Sequence, residues 1–527
     1  MENLITQTSF WLALIISIGS LFFYIRLALL SRKHRKDSED ENYDFHLGLS
    51  LGNNQNKNQV FAYALVAAGT SLSTVFVFFL TASAFFGWLT FLSPIMFAIG
   101  NYVMFKVYSK AEKNEFFNEK STTRSGLTGL IPYLGETITG SKKIGLFLVA
   151  LSFINLLAVL VLELFIGADI LSFLFSNTLK TQVSTPDNFS IIDFLIFSIS
   201  VALLLSYVVI GGFRAVISSD FWQMKAMKTT IVIVFISSLL TLFIRNSGFD
   251  FSLISVKATG ITLIGFVLNV ILANIFAPMS QESSWQRFRA FKEQKKEEGF
   301  DINVSMKKSI ANSLILWIGL ILISFFLVVL SNGAPLANIT DVLKAFQTID
   351  NVWFPLLVFP LLTSACLFAM YSTADTCVSA LIYLIDYFYS SKHPNKEKKN
   401  KLEAFHKVGM LFIFIVSILV YLFIHKLFNP TILQLVFSVF SNLVVIAPTI
   451  LLSNFLKPSE NKNVNQHRKV WVFISLILGS IAYWSSSIFS LVKGADYLWL
   501  SQFAILAGLI FALLPILPIV LSKNSKL

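Results

Sequence analysis

The chain has 527 residues, of which 55% are hydrophobic and 13% are charged, and its formal net charge is +12. Its own polar residues cannot cover so much apolar surface, which excludes a water-soluble globular protein and makes lipid the solvent. The positive charge does not indicate a nucleic-acid partner, because Lys and Arg cluster in alternate loops between apolar stretches. The composition predicts an all-α polytopic membrane protein.

About thirteen apolar stretches are long enough to span a bilayer, which takes roughly 20 residues. The first is not a signal peptide, because its positive charges follow the apolar run, so we expect it to remain as an anchor. In chain order the stretches are predicted at residues 10–30, 60–81, 86–106, 144–176, 190–210, 218–244, 260–281, 308–331, 352–388, 408–426, 430–454, 470–491 and 495–521.

Most of the 41 Lys and Arg residues lie in the loops that follow odd-numbered spans. Cytoplasmic loops carry such an excess of positive charge. The pattern predicts an N-terminus outside and a C-terminus in the cytoplasm. We expect an integral protein of the bacterial inner (plasma) membrane.

Residues 1–58 are predicted to form one N-terminal transmembrane helix and a cytoplasmic linker, and residues 456–527 two C-terminal transmembrane helices. Between them, residues 59–455 divide into two halves of five spans, 59–245 and 260–455, that enter from opposite sides. Each half opens with a span interrupted by small or polar residues, at 67–74 and 274–282. In transporters built from inverted repeats such helices are broken and bind ion and solute, although Gly and Pro also occur in unbroken membrane helices.

Residues 369 to 375 read Ala-Met-Tyr-Ser-Thr-Ala-Asp within the ninth span. Two hydroxyls and a carboxylate are costly in hydrocarbon and often mark an ion or solute pathway. Ala369, Ser372 and Thr373 are spaced i, i+3 and i+4, so they share one helix face. The alternative is that both hydroxyls bond back to their own helix.

Three motifs carry a resemblance to the sodium/solute symporter family, which includes sodium/proline, sodium/glucose and urea symporters. The stretch Gly211 to Gln223 is similar to the family's Gly-Gly-x-x-Ala-Val-x-x-Thr-Asp-x-x-Gln signature, with Ser219 in place of the Thr. Residues 372–375 resemble its Ser-Thr-Ala-Asp-Ser segment, and residues 285–287 resemble a Gln-Arg helix end. Order and spacing agree with the family over roughly residues 45 to 455.

The resemblance implies a leucine-transporter-like 5+5 inverted repeat with one extra N-terminal and two extra C-terminal helices. It implies sodium-coupled symport of a small polar solute (an amino acid, sugar, urea or organic acid) by alternating access. The implied sodium ligands are the hydroxyls of Ser372 and Thr373 and the backbone carbonyls of Ala369, Gly69 and Leu72. Five neutral oxygens suit a hard monovalent cation, because they replace its hydration shell without trapping it by charge.

Two carboxylates have open roles. Asp220 resembles the family's aspartate near the cytoplasmic exit of the sodium path, where its charge would draw the cation inward; helix capping is the alternative. Asp375, one turn from Ser372, is a candidate for ion or proton binding or for a paired structural carboxylate.

The solute site is less defined. Fold analogy places it level with the two helix breaks, where many polar or aromatic side chains are available and none discriminates between solutes. The predicted substrate-binding residues are Ser73, Thr74, Phe76, Asn274, Gln281, Glu282 and Gln434.

Alternatives to sodium symport stay open. Proline-type family members carry an acidic residue at the position of Ser71, and bulky residues follow it here, so a non-transporting solute sensor is also compatible with the sequence. A proton-coupled symporter is the other alternative, since Asp375 is a candidate proton carrier. An enzyme is not predicted, because the six His residues are scattered. The expected partners are a small solute, sodium and the lipid bilayer, with no cofactor, nucleic acid or obligate protein partner.

Overall fold

The computed structural model describes residues 2–36, 57–114, 116, 130–179, 191–244, 250–293, 300–331, 339–349, 353–392, 399–427 and 431–522. Across these residues the regular structure is helical, without a strand. Ten helices among them are long and apolar enough to cross a membrane, so the chain is an integral membrane protein, as predicted. The predicted linker of the first region falls largely on residues 37–56, outside the described residues.

Seven α-helices precede the second half of the core, and short π or 3-10 turns connect some of them. They are α1 (Glu2–Lys36), α2 (Lys57–Gly69), α3 (Phe78–Phe86), α4 (Leu92–Lys113), α5 (Ile131–Thr139), α6 (Lys142–Leu179) and α7 (Ile191–Ile244).

The remaining described residues form eleven further helices. They are α8 (Gly260–Ser280), α9 (Glu282–Glu293), α10 (Ile302–Leu330), α11 (Ile339–Thr348), α12 (Phe359–Lys392), α13 (Lys399–Leu427), α14 (Ile432–Phe440), α15 (Ala447–Leu452), α16 (Lys462–Lys493), α17 (Leu498–Leu513) and α18 (Leu517–Ser522).

The count of thirteen spans stays a prediction, because two apolar segments contain bends. A 3-10 turn at Gly87–Phe91 separates α3 from α4 inside one long apolar segment. Gly212 bends α7 with φ 64° and ψ −167°, a conformation that is essentially restricted to glycine. The apolar part of α13, Lys407–Phe423, is shorter than a full span.

Helix α12 lies at the centre of the core, where it packs against α1, α6 and α7. Small residues permit the close approaches: a Cβ added to Gly167 of α6 would lie 1.8 Å from Sδ of Met370, and one added to Gly100 of α4 would lie 1.9 Å from the carbonyl oxygen of Asn274. Membrane helices associate through such close packing, because lipid tails are as apolar as the side chains and the hydrophobic effect does not favour one contact over the other. The segment 369–375 is therefore enclosed by protein.

Candidate functional site

The second predicted span is interrupted where the sequence predicts a break. Helix α2 ends at Gly69, and a π-helical turn, Leu72–Val77, begins after two non-helical residues. The N–H of Phe76 donates to the carbonyl of Ser71 at 3.3 Å, five residues earlier. A helix end leaves carbonyls without partners in a following turn, and π-turns are frequent at functional sites. The predicted ligands Gly69 and Leu72 flank this interruption.

The interrupted helix faces α12. Both α2 and the π-helical turn pack against α12, so the stretch that contains the predicted carbonyl ligands and the helix that contains the predicted hydroxyl ligands are neighbours. The side chains of Leu72, Ser73 and Thr74 lie outside the described residues. The predicted contribution of Leu72 is a backbone carbonyl.

The hydroxyls of Ser372 and Thr373 are both buried in α12. Ser372 donates to Oδ1 of Asp220 at 2.9 Å, and Oγ1 of Thr373 has no hydrogen-bond partner among the described residues. Two turns earlier, the hydroxyls of Thr363 and Ser364 each donate to their own helix at 2.7 Å. Ser372 and Thr373 therefore do not follow the ordinary back-bonded pattern of membrane helices.

Asp220 is part of a buried ion pair. Its Oδ2 lies 2.7 Å from Nη2 of Arg287 in α9, and neither side chain has exposed surface. The same guanidinium donates to Oγ1 of Thr376 at 2.8 Å and, through Nη1, to the carbonyl of Ser283 at 3.2 Å. A guanidinium neutralises the carboxylate that the sequence presented as a free negative charge. The capping alternative is also not observed, because Asp220 lies inside α7, beyond the bend at Gly212.

Asp375 has only one of its two carboxylate oxygens hydrogen-bonded. Ser219 donates to Oδ2 at 3.0 Å, whereas Oδ1 has no partner among the described residues. Asp375 is two residues from Thr373, which places it about 200° around the helix from that hydroxyl. It lines a small cavity between α1, α7 and α12, together with Leu21, Tyr24, Ile25, Leu203, Leu204, Tyr207 and Tyr371.

The break predicted in the seventh span occurs only at its end. Helix α8 continues through Pro278 to Ser280, and the backbone leaves helical geometry at Gln281 (ψ 114°) before α9 begins. Asn274 in α8 donates to Ser93 at 3.1 Å and to the carbonyl four residues earlier. Phe76, in the π-helical turn of the other break, is fully buried.

Two of the predicted substrate-binding residues, Glu282 and Gln434, form hydrogen bonds with helix ends of the protein. The carboxylate of Glu282 accepts the N–H of Ile131, with both oxygens at 3.3 Å, so it caps the start of α5. Gln434 forms a capping box with Thr431 and donates to the carbonyl of Gly494 at 2.6 Å. Both side chains therefore satisfy helix ends of the protein itself, and their role in substrate binding stays a prediction.

Sequence reasoning missed Thr376 and Tyr24. Thr376 is four residues after Ser372, so helical spacing already placed it on the same face. Tyr24, in α1, accepts a hydrogen bond from Gln223, and its ring centroid lies 5.1 Å from that of Tyr371. No sequence pattern pointed to Tyr24, because it lies in the N-terminal helix outside the repeat.

No protein-family model matches the chain, and no curated protein matches it. Among solved structures, a Na⁺-coupled sialic acid symporter in a substrate-bound outward-open state is 15% identical, with a TM-score of 0.61 and coverage of 98% of both chains. MhsT in complex with L-phenylalanine is 13% identical, with a TM-score of 0.51 over 88% of this chain and 98% of that one. The helical architecture and these likenesses give the chain a leucine-transporter-like fold.

Proposed function

We propose that the chain is a secondary active transporter that couples sodium entry to the movement of a small polar solute by alternating access. The observation that carries the proposal is the unpartnered, buried Oγ1 of Thr373 on a helix that packs against the broken α2 segment. A buried hydroxyl oxygen without a partner is costly. A bound cation would supply the missing contact.

The proposed sodium ligands are two hydroxyl and three carbonyl oxygens, all neutral, so the ion is bound without a permanent ion pair and can leave again. Ser372 directs its proton to Asp220, which leaves the lone pairs of Oγ free for a cation. The ligands are the hydroxyls of Ser372 and Thr373 and the carbonyls of Ala369, Gly69 and Leu72. Sodium entering down 100 mV contributes about 2.3 kcal/mol before any concentration gradient.

We further propose that residues 59–455 are the transporting core, in a bacterial inner membrane with the N-terminus outside. The solute is one small polar molecule of the amino acid, sugar, urea or organic acid classes. The likeness to the sialic acid symporter, at 15% identity, extends to the fold alone, so it does not choose among these solute classes. The core is proposed to work without an obligate protein partner.

The test is an uptake screen in proteoliposomes that contain the full chain, with inward gradients of sodium, lithium or potassium and one radiolabelled solute from each class. We expect sodium-dependent accumulation of one solute. The double variant Ser372→Ala with Thr373→Ala should abolish the sodium dependence, because it removes two of the five proposed ligands.

The matched control is Thr363→Ala with Ser364→Ala, an adjacent hydroxyl pair in the same helix whose members bond their own backbone. This control should retain sodium-dependent uptake. Equal flux in sodium and potassium would refute the proposed coupling. Binding of a solute without flux under any gradient would favour the sensor.

A further inference from the structure

Arg287 brings a fixed positive charge into the proposed sodium site. Its guanidinium contacts Asp220 at 2.7 Å, and the other oxygen of that carboxylate accepts the hydroxyl of Ser372 at 2.9 Å. One carboxylate thus connects a proposed sodium ligand to a permanent cation. Arg287 has no exposed side-chain surface, so water does not screen this charge.

The guanidinium of Arg287 also forms a hydrogen bond with α12, the helix that contains Ser372. Oγ1 of Thr376 accepts a further hydrogen bond from the guanidinium at 2.8 Å. Thr376 is four residues after Ser372, so both lie along one face of α12. Arg287 itself lies in α9, after the break at Gln281. The guanidinium therefore lies on a different helix from Asp220, which is in α7, and from the proposed sodium ligands.

We propose that Arg287 is a tethered competitor of sodium for Asp220. It keeps the carboxylate occupied, so that an ion at Ser372 and Thr373 meets only neutral oxygens and is released readily. Asp220 is then a positioning residue, which orients the Ser372 hydroxyl without binding sodium itself. This inference rests on the proposed function and assigns Arg287 as the residue that sets how tightly the ion is held.

The charges that remain after each substitution determine whether sodium binds more tightly or more weakly. Removing the guanidinium alone leaves Asp220 as a buried, uncompensated carboxylate, which a nearby cation would relieve. Removing the carboxylate alone leaves the guanidinium uncompensated beside the site, where it repels sodium. Removing both charges returns the site to neutral oxygens, because a buried pair can be replaced without leaving an unpaired charge.

The experiment is calorimetric titration of the purified, detergent-solubilised full chain with NaCl at constant ionic strength, with choline as the balancing ion. We expect Arg287→Gln to bind sodium about ten-fold more tightly than the wild type, and Asp220→Asn about ten-fold more weakly. The double variant should return to within about three-fold of the wild type, which a double-mutant cycle reads as coupling. In proteoliposomes, Arg287→Gln should lower both the half-saturating sodium concentration and the maximal uptake rate.

The results of these measurements distinguish a failure of this inference from a failure of the proposed function on which it rests. No sodium binding by the wild type overturns the proposed function, and the inference with it. Sodium binding by the wild type that is unchanged or weakened in Arg287→Gln overturns the inference alone. If Arg287→Gln does not fold, the comparison of Asp220→Asn with the double variant decides: recovered affinity supports the inference, and equally weak binding overturns it.

Discussion

The hydroxyl of Ser372 donates a 2.9 Å hydrogen bond to Oδ1 of Asp220, although 152 positions separate the two residues. The contact joins two motifs that the sequence presented separately, one in α7 and one in α12. It also determines the direction of the hydroxyl, whose proton points to the carboxylate and whose oxygen stays an acceptor. A cation ligand needs that orientation, and four predictions test this site and the fold around it.

Thr373→Val removes the unpartnered hydroxyl and keeps the shape of the side chain. An unsatisfied buried polar atom costs about 1–3 kcal/mol, so the variant should unfold at a higher temperature than the wild type in sodium-free detergent. It should also need about ten-fold more sodium for half-maximal uptake. Thermal unfolding and uptake, each over a range of sodium concentrations, measure the two effects.

The control for this change is Thr363→Val, which removes a hydroxyl that donates to the carbonyl of Phe359. It should leave the sodium requirement unchanged and should not raise the unfolding temperature. Lower stability of Thr373→Val without sodium would contradict an unpartnered hydroxyl at that position.

Glu282 should make stability depend on pH. It lies beyond the end of the span that closes at Ser280, and burial raises the pKa of its carboxyl to about 8, against a smaller lowering by the N–H of Ile131. Between the ordinary pKa of 4.5 and about 8, the folded state therefore binds more protons than the unfolded state. The free energy of unfolding should fall as pH rises through this window.

Glu282→Gln mimics the protonated side chain, so it should remove this dependence and unfold at a higher temperature than the wild type at pH 8. The two proteins should differ least near pH 5. Glu460→Gln, a change at an exposed acid, is the control and should follow the wild type at every pH. Differential scanning fluorimetry from pH 5 to pH 8.5 gives the curves, and parallel curves for wild type and Glu282→Gln would refute the prediction.

Gln434→Ala should destabilise the protein without altering solute recognition. The amide donates to the carbonyls of Ser490 and Gly494 at 3.1 and 2.6 Å, and each lost hydrogen bond costs about 0.5–1.5 kcal/mol. We expect a lower unfolding temperature and an unchanged KM for solute. A raised KM with unchanged stability would instead support the substrate role that the sequence predicts for Gln434.

Gly212→Ala should strain the bend in α7. A side chain at φ 64° and ψ −167° costs about 1–3 kcal/mol, so the variant should unfold at a lower temperature. Gly19→Ala in α1 is the matched control, because nothing lies within 4 Å of the added Cβ. Equal unfolding temperatures for the two variants would show that the bend tolerates a side chain.

Much of the fold could be predicted from local pattern. Apolar run length indicates a membrane helix wherever the bilayer is the solvent, and small or polar residues indicated the interruption near Gly69. Helical spacing alone placed Ser372 and Thr373 on one face. The number of spans stays a prediction: the sequence separates two spans between residues 210 and 218, and the structure bends α7 there at Gly212 while the helix continues.

The sequence by itself determined the membrane class and the clustering of hydroxyls on α12, and it indicated the residues after Gly69 as a candidate break, since each depends on residues that are close in the chain. Only the tertiary structure decided what faces those hydroxyls. The contacts of Asp220 with Ser372 and Arg287 join three helices, and such contacts follow from packing across long sequence separations. For the same reason the sequence left Asp220 as a free charge, whereas the folded chain pairs it.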